Sequence, residues 1–291
     1  MVATKRRATR RARLLAKARG GVAEAQSELG WDFYSRPPIR KRLAVFWWRK
    51  AAEAGGAQAQ HWLGRCYDDG EGVRRDRKLA RVLWERAAAQ GWANAQLSLG
   101  YAWAHGEGGP KSRARANRLY RAAAAQGDEI AMYNLGQAHL RGLGVLKNVR
   151  SALDWFRKAA EHGDPDSPIE ALKVANEHGL ELDRPAVARW LLVAARSGHA
   201  PAQHRLGMML FRGEGVRRNR PSALRWYRRA ARQGDPHALC SLGIEYHNGH
   251  VSKQDHAKAA RLYHRAASKG SRWAMYLLGL CYRDGEGVAR S

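Results

Sequence analysis

The pair Leu-Gly returns along this chain at Leu29-Gly30, Leu63-Gly64, Leu99-Gly100, Leu135-Gly136, Leu206-Gly207, Leu242-Gly243 and Leu278-Gly279, at spacings of 34, 36, 36, 71, 36 and 36 residues. A period of that size admits few folds, because it is the length of one small helical unit that buries its apolar face only against copies of itself. The 71-residue gap holds a degraded copy. Trp190, Ala194-Ala195 and Gly198 stand where Trp226, Ala230-Ala231 and Gly234 stand in the next unit, which puts Ala171 in the missing glycine's place.

Each unit reads as two helices. In the first, Ala59, Leu63 and Tyr67 lie four apart on one face, as do Ala95, Leu99 and Trp103, and Ala238, Leu242 and Tyr246. Glycine inside a helix costs about 1 kcal/mol relative to alanine, so its use at seven equivalent places predicts that a neighbouring helix occupies the space of the missing side chain. A glycine turn follows (Gly70-Glu71-Gly72-Val73, Gly213-Glu214-Gly215-Val216, Gly285-Glu286-Gly287-Val288), and then Asp76, Ser112, Asn148, Asp183, Asn219 and Asp255 share one position. All six are residues that cap a new helix. The second helix carries a bulky pair such as Leu83-Trp84, Trp226-Tyr227 or Leu262-Tyr263, then Ala-Ala, and stops at a glycine such as Gly91 or Gly234.

The pattern A-x-x-x-L-G-x-x-Y-x-x-G-x-G-V, a cap, a bulky pair, A-A and G resembles the Sel1-like repeat, a subclass of the tetratricopeptide-type α/α solenoid. The resemblance covers residues 21–288 and implies an all-α, right-handed superhelical solenoid, here seven helix pairs plus a terminal half repeat. It also implies an adaptor or scaffold role without naming a ligand. Residues 1–20 hold eight Lys or Arg and no acid. They are expected to be a basic tail leading into a capping helix, because Leu14, Ala18 and Gly21 keep the offsets of Trp48, Ala52 and Gly55. A nucleic-acid arm, a nuclear signal and an organelle transit peptide are the other readings of that segment.

Departures from the pattern mark local irregularities. Arg36-Pro37-Pro38-Ile39 replaces the first glycine turn, Asp164 to Pro168 should delay the first helix of the fifth unit, and Gly249-His250-Val251 alters the seventh turn. The last unit stops after one helix, so an uncovered apolar face bearing Leu277, Leu278 and Leu280 is expected there, fitting a monomer or a weak dimer.

Charge narrows the partners: 52 Lys and Arg against 26 Asp and Glu give a net charge of +26, which favours acidic partners. No apolar run approaches membrane-spanning length. The three cysteines, Cys66, Cys240 and Cys281, sit singly in different repeats and read as buried thiols in a reducing, cytoplasmic setting. The Ala/Arg/Gly-rich composition points to bacteria, where the resemblance implies a regulator, effector or inhibitor of a cognate protein.

Catalytic signatures are missing. There is no S-x-x-K, although penicillin-binding or β-lactamase-like hydrolase activity has been suggested for some relatives, and no G-x-S-x-G, H-E-x-x-H or phosphate loop. The recurring G-E-G-V is a turn, and Asp68-Asp69 and Asp284-Glu286 read as solvated helix-end acids. His237, His247, His250, His256 and His264, with Cys240 nearby, spread over two helices and a loop without a paired ligand motif. They read as solvated histidines, so neither metal nor cofactor is expected.

The chain therefore reads as a non-enzymatic interaction protein that binds an acidic protein or peptide. Its concave face is expected to present Trp62, Arg65, Tyr101, His105, Asn134, Arg141, Arg205, Arg212 and Asn248. A basic edge and stripe would comprise Arg74, Arg75, Arg118, Arg189, Arg217, Arg218, Arg225, Arg229, Arg261 and Arg265, with Lys111, Lys147 and Lys253 along the edge. Such rows suit a nucleic-acid backbone as the alternative partner, with affinity falling steeply as salt rises.

Overall fold

The computed structural model describes residues 2–36, 39–250 and 253–290, and among them it has sixteen α-helices and no strand. Pro37, Pro38 and Val251, which belong to two of the turns expected to depart from the pattern, lie outside the described residues. The helices group into two compact units, residues 1–155 and 156–291, with the division inside α9 (Val149–Glu161).

In the first unit α1 (Val2–Arg19) precedes three hairpins: α2 (Ala23–Ser35) with α3 (Lys41–Glu53), α4 (Ala57–Asp69) with α5 (Arg77–Ala89), and α6 (Ala93–His105) with α7 (Arg113–Ala124), followed by α8 (Glu129–Arg141). The second unit contains α10 (Ser167–His178), α11 (Arg184–Arg196), α12 (Ala200–Arg212), α13 (Arg220–Arg232), α14 (Pro236–Asn248), α15 (His256–Ala267) and α16 (Arg272–Asp284). α10 starts three residues later than the other first helices do relative to the Leu-Gly position, as Pro165 and Pro168 dictate, and Ala171 is fully buried in the glycine's place.

Why the pattern keeps glycine is visible at Gly64. A methyl group there would stand 2.6 Å from Trp84 Nε1 and 3.2 Å from the Ala80 carbonyl. The indole fills the space that a side chain at Gly64 would need and donates to the His61 carbonyl at 3.2 Å. Trp48 does the same against α2, donating to the Ser27 carbonyl at 3.1 Å. Gly100, Gly207 and Gly243 meet Tyr120, Tyr227 and Tyr263. Behind each ring the alanines seal the contact, Ala87, Ala123, Ala230 and Ala266 being fully buried. A fully buried leucine such as Leu29, Leu135 or Leu191 adds about 2 kcal/mol of burial at its position.

All six expected caps accept a backbone N–H from the residue three positions on: Asp76 at 3.0 Å, Ser112 at 3.4 Å, Asn148 at 2.9 Å, Asp183 at 3.1 Å, Asn219 at 2.9 Å and Asp255 at 2.8 Å. α1 packs on α2 as a second helix would. Ala18 is buried, and Gln26 donates to its carbonyl at 3.0 Å, just as Gln60 donates to the Ala52 carbonyl at 3.3 Å. Arg11 ties the two helices by pairing with Asp32 at 3.1 Å and lying over the Phe33 ring.

At the other end the expected exposed leucines are not the exposed residues. Leu277 and Leu278 pack partly against the core of the second unit, while Trp273, Met275 and Tyr276 face solvent at 55%, 52% and 56% exposure. Leu277 and Leu278 lie on the side of α16 that meets the core of the second unit, and Trp273, Met275 and Tyr276 lie off it.

Candidate partner-binding grooves

Two contacts recur between residues 30 apart, one inside a hairpin and one from a repeat to the repeat before it. In one, a glutamine just past the end of a second helix reaches a buried glutamine in the first helix of the same hairpin. Gln90 donates to Gln60, Gln126 to Gln96 and Gln233 to Gln203, each at 2.9 Å. In the other, the turn glutamate reaches the residue that opens the preceding second helix: Glu71 with Lys41 at 2.6 Å, Glu107 with Arg77 at 3.3 Å and Glu214 with Arg184 at 3.9 Å. The second turn glycine permits this. A methyl group at Gly72, whose φ is 73°, would stand 2.7 Å from the Lys41 backbone, so only glycine lets the turn rest there. Tyr34 adds its hydroxyl to Glu71 at 2.6 Å, and Arg77 also holds Asp68 at 3.3 Å. Glu71 is thus joined to the preceding repeat, and Asp68, held by Arg77 of its own hairpin, is not the solvated helix-end acid that spacing suggested.

These contacts govern ionisation. The hydrogen bond from Lys41, then that from Tyr34, draws the Glu71 carboxyl below the ordinary glutamate range. The same bond pushes the Tyr34 phenol up to about 12. Burial lowers His61 and His204 to about 4, so both are neutral; their Nε2 atoms sit 3.2 Å and 3.0 Å from the hydroxyls of Ser98 and Ser241 in the following first helices. The three cysteines are free and buried, and burial raises Cys66 to about 12, far from a reactive thiolate.

The residues expected to face a partner separate into groups. His105, Asn134 and Arg141 come together with Lys111 and Arg113 around a groove of about 470 Å³ between α6, α7 and α8. Tyr101, half exposed, packs on His105 with ring centroids 4.0 Å apart and the planes tilted by 30°. Arg205 borders a second groove, about 860 Å³, built on α10, α12, α14 and the start of α16, with Met208, Ile244, Lys269, Arg272 and Trp273. Burial draws the Arg205 guanidinium below its usual range. Trp62 is half-buried and packs on Trp31 and Trp48, at centroid distances of 4.7 Å and 6.0 Å, and so belongs to an aromatic cluster more than to an open face. Arg65 is exposed and reaches Asp69 at 3.8 Å, Arg212 reaches Glu214 at 3.3 Å, and Asn248 is exposed at the end of α14.

Along the basic rows, Arg74, Arg118, Arg189, Arg217, Arg261 and Arg265 are exposed. Arg75 instead donates from Nε to the Asp68 carbonyl at 2.6 Å, satisfying the end of α4, and Arg218 holds its Cβ against Gly213 in the corresponding place. Arg225 donates to Ser222, and Arg229 lies 4.7 Å over Trp226. Spacing did not reveal Lys269, Arg272 or the glutamine pairs. The recurrence of A-Q-x-x-L-G with A-x-Q-G 30 residues on would have given the last.

One histidine group is also assembled. His247, in the last turn of α14, and His256, the first residue of α15, bring their Nδ1 atoms to 3.4 Å, and Glu286 Oε2 lies 3.6 Å and 3.7 Å from them. Dispersed positions along two helices and a loop hid this convergence, because Glu286 belongs to the next repeat. Among the described residues no helix is long and apolar enough to cross a membrane.

Comparison with known proteins gives a consistent picture. No protein among curated sequences matches this chain. A protective antigen of uropathogenic Escherichia coli with an SLR fold is 31% identical, superposes with a TM-score of 0.84 and is matched over 97% of this chain, which spans 61% of that protein's length. A Sel1 repeat protein from Oxalobacter formigenes is 28% identical with a TM-score of 0.66, the match covering 83% of this chain and 96% of that one. The Sel1 repeat model matches residues 23–56, 57–92, 93–128, 130–164, 200–235, 236–271 and 274–291, leaving out residues 1–22, the degraded copy and the joins at 129 and 272–273. With seven matched copies covering most of its length, the chain belongs to the Sel1 repeat family.

Proposed function

We propose that the protein is a non-enzymatic interaction scaffold whose first-helix grooves hold an acidic segment of a partner protein, in the manner of a bacterial regulator, effector or inhibitor. The observation that carries this reading is where the acids go. Asp76, Asp128, Asp183, Asp235 and Asp255 cap helices, and Glu71, Glu107 and Glu214 pair with the neighbouring repeat. The +26 excess is therefore displayed outward with few acids to offset it. The grooves combine those cations with apolar and aromatic surface, as at Arg205, Met208, Ile244 and Trp273, which suits a peptide having carboxylates and an apolar anchor.

The test is fluorescence anisotropy with acidic peptides carrying one aromatic residue, at fixed moderate salt. Arg141→Glu and Arg205→Glu should each weaken binding by tenfold or more, on the order of 1–2 kcal/mol for a charge contact turned repulsive, while circular dichroism stays unchanged. Single-stranded and duplex DNA serve as comparators. Binding to DNA alone, with a log–log salt slope proportional to the number of phosphates contacted, would assign the rows to nucleic acid instead.

A further inference from the structure

We propose that His247, His256 and Glu286 form a binding site for one divalent ion of the zinc class, a site that goes beyond the partner-binding reading and does not depend on it. Geometry is the first ground. The three ligand atoms form a triangle with sides of 3.4, 3.6 and 3.7 Å. Those separations are long for hydrogen bonds between such groups. They fit a shared ion, because a cation at the triangle's centre would lie about 2.1 Å from each atom, the length of zinc–imidazole and zinc–carboxylate bonds. The Gln254 side chain donates to the His247 carbonyl at 2.8 Å, which fixes the backbone that carries the first ligand.

The repeat frame supplies the second ground. In the equivalent place of other repeats the turn glutamate is balanced by a permanent cation: Lys41 for Glu71, Arg77 for Glu107, Arg184 for Glu214. Only here, among the described nodes with a glutamate, is that cation replaced by an imidazole, and a second imidazole, His247, stands where Tyr34 and Asp68 stand. An imidazole in the cation's place turns the node from an ion pair into a two-nitrogen, one-oxygen donor set. That set is preferred by zinc, nickel, cobalt and copper over calcium or magnesium. The side chains are 34%, 33% and 41% exposed, so an ion enters from solvent and keeps a fourth position open to water. Bound there, it would clamp α14, α15 and the turn after α16.

Calorimetric titration of chelator-treated full-length protein with zinc chloride near neutral pH tests the site, with cobalt(II) absorption reporting the ligand field. One equivalent of zinc should bind the wild-type protein and raise its thermal midpoint. His256→Arg rebuilds the ion pair used elsewhere in the chain, so it should keep the helical content and thermal midpoint of the metal-free protein while binding zinc at least a hundredfold more weakly. His247→Phe, which places at that position the residue found at Phe211, should do likewise, and His237→Ala should bind as the wild type does. Absence of stoichiometric binding by the wild-type protein, or binding undiminished in His256→Arg, would overturn the assignment.

Discussion

Two substitutions of the same residue, at equivalent positions of the repeat, should change stability in opposite directions. At Gly64 the new methyl group of Gly64→Ala would lie 2.6 Å from Trp84 Nε1 and 2.8 Å from its Cδ1. The ring is 5% exposed and hydrogen-bonded to the His61 carbonyl, so it has no free end to swing away. Overpacking of this kind costs about 1–3 kcal/mol, and displacing the indole forfeits about 1 kcal/mol of hydrogen bonding. Alanine's helix propensity returns about 1 kcal/mol, leaving a net loss of about 1–3 kcal/mol. At Gly279 no atom lies within 4 Å of the same methyl group, since among the described residues no facing ring stands over it. There Gly279→Ala keeps only the propensity gain and should stabilise α16 by about 1 kcal/mol. Urea midpoints report the first change, and hydrogen exchange of α4 and α16 amides localises both. Equal signs at the two sites would refute the idea that a facing ring, and not the helix itself, is what selects glycine in this repeat.

Other expectations concern pH. Tyr34 is raised to about 12 by its bond to Glu71, so its contribution is complete below the unfolded phenol's pKa of 10.0 and is lost as pH climbs toward 12; Tyr34→Phe should flatten the alkaline limb of the stability profile. Glu71 is lowered, so its contribution is present above the ordinary glutamate range and fades on acidification through its depressed pKa, a fall that Glu71→Gln should remove. His61 and His204, neutral in the fold, bind fewer protons than the unfolded chain between 6.5 and about 4, so stability must drop as pH falls through that window. His61→Gln and His204→Gln should each lessen the drop in acid denaturation curves, and an unchanged slope would show that these imidazoles protonate in place.

Much of the architecture could be read from the chain because each repeat states the same local physics several times over. Position-specific demands for a cap at Asp76 and its equivalents, for glycine at the turns, and for large beside small on the second helices leave only an α/α repeat, and even the late start of α10 follows from Pro165 and Pro168. Local chemistry of this kind needs nothing beyond nearest neighbours, which is why sequence suffices for it.

Contacts between repeats are another matter. Nothing in the spacing tied Glu71, Glu107 and Glu214 to the helix on which their turn rests, or, within a hairpin, Gln60, Gln96 and Gln203 to their partners 30 residues away. Trp62 looked like a recognition residue, yet the packing of α2 and α3 draws it against Trp31 and Trp48. His247, His256 and Glu286 belong to three separate elements and converge only because the last turn lands on the first residue of α15. Sequence alone determined the helices, their caps and the glycines that let them touch. The meeting of side chains from successive repeats was decided by tertiary packing, since the stagger between hairpins, and not any local propensity, sets which atoms come within bonding distance.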